Sequence, residues 1–298
     1  MNNNNYKVAF YLLGYKGYIV LQRFLTAFSK NNISCVVIGK DKNVCNDFSL
    51  EIEELCQSNK LTFYFRNDSF DVAADTIFLI GWRWMIDIGD KKIIVLHDSL
   101  LPKYRGFNPL VTALINKEER IGVTALFANN KYDRGDIIAQ KSISVSYPLK
   151  ISKAIELITP LYSDLVNEIS QKLFADIPLN AVPQVEEKAT YSVWRDKDDY
   201  RINWQESACR IALFVDATGF PYEGAQTEAY GEIVEIIGAE ALEYDIMVEN
   251  RTPGKVIFVE EGYPIVICGK GLLKITQMVS KRDKTSLLPL KQFRTRFS

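Results

Sequence analysis

The chain contains one histidine, His97, and histidine is the side chain whose charge changes most readily near neutral pH. It follows the apolar run 92–96, and α/β sheets bind ligands in the crevice at the carboxyl ends of their strands. Asp133 follows a second apolar run, 123–127, and Gly135 permits a turn that would present this carboxylate inward. A carboxylate beside an imidazole fixes its tautomer and stabilises its protonated form. From these residues alone, a catalytic pair of His97 and Asp133 that handles protons stands beside two alternatives, a histidine that packs in the core and an Asp133 that only forms a turn.

Other catalytic chemistries have little support in the sequence. The first turn with glycines, Gly14–Gly17, does not match G-x-G-x-x-G, and the sequence contains no P-loop motif. The five cysteines show no C-x-x-C spacing, and a single histidine cannot complete a zinc site with them. We therefore predict reduced thiols, no metal and no bound dinucleotide.

The first part of the chain alternates between short apolar runs and helical patterns. The predicted strands are 8–13, 34–38, 61–65, 76–80 and 92–96. The predicted helices are 18–29, 49–58, 108–116 and 151–174. Continuous apolar strands separated by helices favour an α/β fold with a parallel, Rossmann-like sheet.

The character of the chain changes after residue 183. A polar connector at 184–188 leads to a predicted helix at 205–218. Short β-rich pieces follow at 230–237, 244–249, 254–259, 264–268 and 272–278. We predict a Rossmann-like catalytic domain over 1–183 and a linker helix with a smaller β-rich domain over 184–298.

Charge and composition restrict the possible partners. Lys and Arg number 36 and Asp and Glu 37, so the formal charge of −1 gives no electrostatic signature of nucleic acid or anionic membrane binding. Residues 1–5 lack the basic and apolar regions of a secretory signal, and no window is long and apolar enough to span a bilayer. We predict a soluble cytoplasmic protein.

Three blocks of sequence occur in an order typical of one family. They are His97–Gly106 (H-D-S-L-L-P-K-Y-R-G), Gly122–Thr124 and Asp133–Gln140. Together they resemble the folate-dependent formyltransferases, and stretches at 189–191, 200–204, 220–225 and 253–256 extend the resemblance over nearly the whole chain. The resemblance implies a formyl-transfer enzyme with N10-formyltetrahydrofolate as co-substrate and with His97 and Asp133 as catalytic residues.

Within that family, the stretches 39–43, 81–82 and 194–201 are most similar to the sugar-nucleotide N-formyltransferases. This implies that the acceptor is the amine of a nucleotide-linked 3- or 4-amino-dideoxy sugar, of the dTDP type, in surface-polysaccharide (O-antigen) biosynthesis. The implied folate site consists of Ile80, Gly81, Trp82, Tyr132 and Asp133. The residues implied to bind the sugar nucleotide are Lys103, Tyr104, Arg105 and Trp194, of which arginine suits phosphate oxygens.

One position departs from the family pattern. Val95 stands where the family has an asparagine, two residues before the histidine. That amide helps to hold the formyl oxygen as it becomes negative, and loss of an oxyanion donor typically lowers a rate about 10²–10³-fold. Asn108 is a candidate catalytic substitute. A backbone donor, a water or a weakened enzyme are the alternatives.

Two other functions stay open. One is methionyl-tRNA formyltransferase, although residues 184–298 contain 15 Lys and Arg against 18 Asp and Glu, without the positive excess of a tRNA binder. The other is a sugar-nucleotide or folate-binding protein that has lost catalysis, which the valine at position 95 suggests.

The β-rich domain also bears on assembly. Its predicted strands contain apolar residues at 265–267, 272–273 and 275, more than a small domain readily buries. Two-fold dimers are the commonest oligomers, so we predict a homodimer through this region. The alternative is that these strands pack on the domain's own core or against residues 205–218.

Overall fold

The computed structural model describes residues 6–87, 89 and 91–298. The chain divides into two compact units. The first contains residues up to Leu110 together with 119–145 and 153–194, and the second contains 111–118, 146–152 and 195–298. Residues 1–5, where the sequence predicts no secretory signal, lie outside the described residues.

The first unit is built on a seven-stranded sheet. Its strands are β1 (Val8–Leu12), β2 (Ile33–Ile38), β3 (Phe63–Phe65), β4 (Thr76–Ile80), β5 (Lys92–His97), β7 (Arg120–Phe127) and β8 (Ile137–Ser144). The strand order is β3-β2-β1-β4-β5-β7-β8, in which β1 to β5 are parallel and β7 and β8 are antiparallel. The predicted Rossmann-like fold is confirmed, but the sheet is mixed because the β7–β8 hairpin completes one edge.

The order of the strands reverses between β1 and β4. The chain passes outward from β1 through β2 to β3 and then returns to β4 on the other side of β1. Such a reversal leaves a crevice at the carboxyl ends of the strands, where α/β proteins bind their ligands.

The helices begin and end close to their predicted bounds. They are α1 (Gly14–Ala27), α2 (Ser49–Asn59), α3 (Pro109–Ile115) and α4 (Ile151–Phe174). The longest, α4, continues through Pro160. No helix in the described part of the chain is long and apolar enough to cross a membrane.

A two-stranded parallel pair adds a segment to the first unit. It consists of β6 (Arg105–Gly106) and β9 (Tyr191–Ser192). The sequence predicts a domain boundary at 183, whereas the structural division follows Trp194. The pairing of β9 with β6 explains the difference, because it holds the polar connector against the loop that follows β5.

The second unit contains α5 (Ala208–Thr218) and a five-stranded antiparallel sheet. Its strands are β10 (Ala225–Ala229), β11 (Glu232–Ala241), β12 (Val256–Glu260), β13 (Tyr263–Ile267) and β14 (Leu272–Ser280), in the order β10-β11-β14-β13-β12. The predicted β-rich domain is confirmed. The strand predicted at 244–249 is wrong, because Asp245 instead accepts hydrogen bonds from Arg251 and from the Gly271 amide and fixes an irregular loop.

The apolar strands of the second unit are buried within it. All six residues on which the predicted dimer depends are at most 5% exposed. Three of them (Val266, Leu273 and Ile275) belong to the cluster that includes the α5 residues Ile211 and Val215. The other three (Ile265, Ile267 and Leu272) form a second cluster, against which Leu242, Ile246, Val248 and Ile257 pack. The alternative given by the sequence, packing on the domain's own core, is therefore the observed one. These strands give no physical reason for a dimer.

Candidate active site

His97 is the last residue of β5, near the middle of the first unit's sheet. It pairs with Thr124 of β7, and its side chain is only 8% exposed. Its Nε2 atom lies 2.8 Å from the carbonyl oxygen of Tyr104, in the loop that follows the strand. A strand end and a backbone hydrogen bond thus fix both the position and the rotation of the imidazole.

Asp133 lies in the turn between β7 and β8. Its backbone is left-handed, with φ of 53°, and a Cβ atom at Gly135 would lie 1.6 Å from the carbonyl oxygen of Phe127. The turn therefore requires glycine at position 135. It brings Asp133 Oδ1 to 3.4 Å from His97 Nδ1, while Oδ2 accepts a hydrogen bond of 2.8 Å from the Gly106 amide. The structure brings the two predicted residues together as the His97–Asp133 pair.

The imidazole of His97 lies between two hydrogen-bond acceptors. One ring nitrogen faces the Tyr104 carbonyl and the other faces the Asp133 carboxylate, and both groups accept hydrogen bonds. A neutral imidazole carries one N–H, whereas an imidazolium carries two and can donate to both acceptors. Asp133 can therefore orient the ring through Nδ1, and the Nε2 atom that meets the Tyr104 carbonyl here is the one placed to donate to an oxygen on which negative charge develops.

Val95 occupies an apolar environment two residues before His97 on the same strand. It packs against the cluster that contains Tyr11 and Leu79, with Trp82 at its edge. Valine offers no side-chain donor there. Asn108, the predicted substitute, has a left-handed backbone with φ of 49° and directly precedes α3.

Arg105 has a different environment from the predicted one. Its side chain is fully buried, and its Nε and Nη2 atoms donate to Gln184 Oε1 at 3.0 and 2.9 Å. Its Nη1 atom donates to Glu186 Oε2 at 2.9 Å and to the Tyr191 hydroxyl at 3.2 Å. The prediction that Arg105 contacts a substrate phosphate is contradicted, because all of these hydrogen bonds are to residues of the first unit.

The other residues predicted to bind the sugar nucleotide differ in exposure. Tyr104 is buried and meets His97 through its backbone carbonyl. Lys103 is exposed, with its ammonium 5.7 Å from the centre of the Tyr104 ring. Trp194, the last residue of the first unit, is 61% exposed. Two of the four, Lys103 and Trp194, are thus accessible to a ligand.

The predicted folate residues Ile80, Gly81 and Trp82 follow one another at the end of β4, where the rings of Trp82 and Tyr11 form the aromatic wall. Ile80 is buried, and a Cβ atom at Gly81 would lie 2.6 Å from the carbonyl oxygen of Leu13. The Trp82 ring lies edge-on to Tyr11, with centroids 5.0 Å apart. Its indole Nε1 atom is buried and has no hydrogen-bond partner among the residues that the structure describes. This unpaired donor is available to a bound ring.

Tyr132, the other predicted folate residue, lies beside Asp133. Its side chain is half exposed, and its ring centroid is 5.7 Å from that of Phe107. The two rings form an accessible aromatic surface next to the His97–Asp133 pair.

Sequence reasoning missed a group of cations beside the aromatic wall, the cation–aromatic cluster. The guanidinium carbons of Arg66 and Arg83 lie 4.4 and 5.3 Å from the centre of the Trp84 ring. The ammonium of Lys40 lies 4.4 Å from the centre of the Phe65 ring. Arg83 also forms an ion pair with Asp41. The sequence did contain a signal for this cluster, because Lys40, Arg66 and Arg83 each follow a predicted strand at the sheet edge where His97 lies.

A second missed group surrounds Asp98, the residue after His97. Its carboxylate bonds to the ammonium of Lys16 and to the hydroxyl of Tyr162. Burial by itself would raise the pKa of Asp98, but the charge of Lys16 and these hydrogen bonds outweigh it and keep the pKa below its usual value. Asp98 is therefore an ionised carboxylate held between α1 and α4.

The described residues contain no group of three or more His, Cys, Asp or Glu side chains that could hold a metal ion.

Two protein-family models match the sequence. The model described as formyl transferase matches residues 71–154, and the model described as formyl transferase, C-terminal domain, matches residues 195–293. Together they cover more than half of the chain, and each lies mainly in one of its two units.

Among curated proteins, the chain is similar to methionyl-tRNA formyltransferases. That of Acetivibrio thermocellus is 30% identical over 203 residues, 67% of this chain and 64% of that protein. That of Thermodesulfovibrio yellowstonii is 34% identical over 209 residues, 70% of this chain and 64% of that protein. The match thus spans slightly less than two thirds of the length of either relative.

Among solved structures, the chain is similar to WlaRD, a sugar 3N-formyl transferase solved with dTDP and 5-N-formyl-THF. The TM-score is 0.70 at 20% identity, over 94% of this chain and 99% of that one. An N-formyltransferase from Helicobacter canadensis, solved with folinic acid and dTDP-3-aminofucose, gives a TM-score of 0.70 at 18% identity, over 91% and 98%. HypX from Aquifex aeolicus gives 0.61 at 21% identity, over 94% of this chain and 45% of that one. At these identities the likeness concerns the fold.

Proposed function

Because the chain carries both domains of the formyl transferase family, we propose that it transfers a formyl group from N10-formyltetrahydrofolate to the amine of a nucleotide-linked amino sugar. The observation that carries the proposal is the His97–Asp133 pair at the carboxyl end of β5, within the stretch that matches the family. A buried imidazole oriented by Asp133 through Nδ1 is suited to donate through Nε2, which meets the Tyr104 carbonyl in this structure, to an oxyanion.

In the proposed reaction, the neutral amine attacks the formyl carbon and a new C–N bond forms. The formyl oxygen gains negative charge, which an N–H of the His97 imidazolium stabilises while Asp133 keeps the ring oriented. The bond between the formyl carbon and N10 then breaks. The amine nitrogen loses one proton and N10 gains one, so the products are a formamide and tetrahydrofolate. In this proposal the His97 imidazolium gives its proton to N10 and then takes one from the amine nitrogen.

The residues present suit a folate. Its flat bicyclic ring would lie against Trp82, whose buried indole N–H has no partner among the described residues. Its glutamate tail carries carboxylates, and the cation–aromatic cluster offers the exposed cations Lys40, Arg66 and Arg83 nearby. The proposal therefore assigns the ring to the end of β4 and the tail to these cations.

The acceptor has two candidates. A nucleotide-linked amino sugar of the dTDP type, used in surface-polysaccharide biosynthesis, is favoured because residues 184–298 have more acidic than basic side chains. Lys103 and Trp194 offer an exposed cation and an exposed ring for its phosphates and base. Methionyl-tRNA is the second candidate, favoured by the names of the curated relatives.

One hydrogen-bond donor to the formyl oxygen that the family pattern has is absent at position 95. Val95 cannot supply the amide that the family pattern has there. Asn108 is proposed as a second donor because it lies two residues after Gly106, whose amide already reaches Asp133.

Turnover with defined acceptors tests the proposal. Purified protein is incubated with N10-formyltetrahydrofolate and, separately, with dTDP- and GDP-amino sugars carrying the amine at C3 or C4, and with methionyl-tRNA. Release of tetrahydrofolate is then followed. We expect turnover with a dTDP-amino sugar and none with the tRNA. Turnover with methionyl-tRNA alone would support the second candidate, and folate binding without any turnover would support a binding protein.

A further inference from the structure

Residues 184–192, called the strap below, lie between the two stretches that match the family models. The strap belongs to the first unit and runs alongside the loop that follows β5. The Arg105 amide donates to the carbonyl oxygen of Thr190 at 2.9 Å, and the Tyr104 amide donates to Thr190 Oγ1 at 2.9 Å. The strap thus holds the backbone whose Tyr104 carbonyl meets His97.

The strap also reaches the turn that carries Asp133. The Nε2 atom of Gln184 donates to the carbonyl oxygens of Asp133 and Gly135, both at 2.8 Å. Its Oε1 atom accepts two hydrogen bonds from the buried guanidinium of Arg105. A single side-chain amide therefore joins the loop after His97 to the turn of Asp133.

We propose that Gln184 is a positioning residue for the His97–Asp133 pair. The imidazole and the carboxylate lie on separate segments, so the 3.4 Å between Nδ1 and Oδ1 depends on how those segments are held. Gln184 acts through Arg105 and through the backbone of Asp133. A misplacement of about 1 Å in an active site can lower a rate about 10²-fold, so this indirect role has a measurable consequence.

The chemistry of an amide makes the role specific. The side chain must accept two hydrogen bonds and donate two, and glutamine does both. In Gln184→Glu the carboxylate still accepts from Arg105, but it has no N–H for the two carbonyl oxygens and places negative charge against them. This variant keeps the size of the side chain and its contact with Arg105, and replaces the two hydrogen bonds to the Asp133 turn by repulsion.

Glu186→Gln is the matched control. Glu186 also accepts from Arg105, at 2.9 Å, but its carboxylate is 57% exposed and cannot donate to a carbonyl. The glutamine variant therefore keeps an acceptor for Arg105 without touching the backbone of the Asp133 turn. The two variants separate the link to the turn from general support of the arginine.

The single histidine supplies a direct readout. Protein labelled with ¹³C and ¹⁵N in histidine gives one set of imidazole signals, which belongs to His97. We expect Gln184→Glu and Gln184→Ala to move these signals toward their positions in Asp133→Asn, whereas Glu186→Gln leaves them unchanged. Unchanged imidazole signals in a folded Gln184 variant would overturn the proposal. The near-isosteric Gln184→Glu keeps the test decisive if the alanine variant does not fold.

Kinetics give a second readout. Unlike the imidazole spectra, this readout rests on the proposed function. In Gln184→Glu we expect kcat to fall about tenfold or more, with KM for the co-substrate changed by less than about twofold. An equal loss of kcat in Glu186→Gln would overturn a specific positioning role. If no acceptor turns over, the proposed function fails while the spectra still decide the role of Gln184.

Discussion

The His97–Asp133 pair and the cation–aromatic cluster lie at the same edge of one sheet, but their side chains are held differently. The imidazole is 8% exposed and meets hydrogen-bonding groups on two other segments of the chain. Arg66 is exposed and lies over the ring of Trp84. The His97–Asp133 pair is suited to chemistry that needs precisely placed atoms. The cation–aromatic cluster is suited to binding that needs only nearby positive charge. Substitutions should therefore change rate in the first and affinity in the second.

The largest effect is expected at the imidazole. His97→Asn should lower formyl transfer about 10²-fold or more, because it removes the charged donor to the developing oxyanion. Binding of the sugar nucleotide, measured by calorimetry, should change little. Full activity in the purified variant would remove the catalytic assignment of His97.

Asp133→Asn should reduce the rate about 10- to 100-fold with the fold retained, because the imidazolium loses its charged partner. Its effect should not add to that of His97→Asn, since the two residues act as one unit. The comparison needs the rates of both single variants and of the double variant. Additive losses would mean that the two groups work independently.

Val95→Asn tests the apolar environment two residues before His97. The cluster beneath Val95 is apolar, so an added amide should lower the free energy of unfolding by about 1–3 kcal/mol in denaturant titrations. Val95→Ala measures the loss of packing alone. A faster enzyme of unchanged stability would instead mean that the position can accept the family's amide and that the native chain lacks a donor there.

Arg66→Ala should leave kcat unchanged and raise KM for the co-substrate about two- to fivefold, because a solvated ion pair contributes little binding energy. The effect should shrink in high salt. Arg23→Ala, at an exposed arginine on α1, is the control. A loss of kcat without a change in KM would contradict a role for Arg66 in charge complementarity.

The smallest expected effect is on the pH dependence of folding stability in acid, to which Asp98 contributes. Its folded-state pKa is below the usual value, so its contribution to stability is present above about pH 4 and is lost as the pH falls through the folded-state pKa. In Lys16→Met the ammonium no longer offsets the effect of burial on the pKa of Asp98. The loss of stability with falling pH should therefore shrink or reverse. Urea titrations between about pH 3 and 6 can measure it, with the exposed Lys42→Met as control. The same pH slope in both variants would remove Asp98 as its source.

The sequence allowed the helices, most of the strands and the His97–Asp133 pair to be predicted because their signals are local, whereas β8 (Ile137–Ser144) and β10 (Ala225–Ala229) were not predicted. A strand end places His97, and one short turn with a required glycine places Asp133. The irregular loop at 244–249 was misread as a strand because its hydrogen bonds come from side chains.

The environment of Arg105 could not be predicted in the same way. Its burial depends on Gln184 and Glu186, which lie 79 and 81 residues later in the chain. Nothing in the sequence around position 105 indicates those contacts, and an arginine in a loop is ordinarily expected at the surface. The contact of Lys16 with Asp98 spans 82 residues and was missed for the same reason.

The strap has a consequence for protein engineering. Residues 1–183 contain the three ordered blocks that identify the catalytic domain, so a designer working from those blocks alone would join a new acceptor domain at that point. Such a chimera would exchange Gln184 and Thr190 together with the domain and replace the contacts that hold its own active-site loop. Recombination between relatives should succeed more often when the junction follows Trp194, where the folded unit ends.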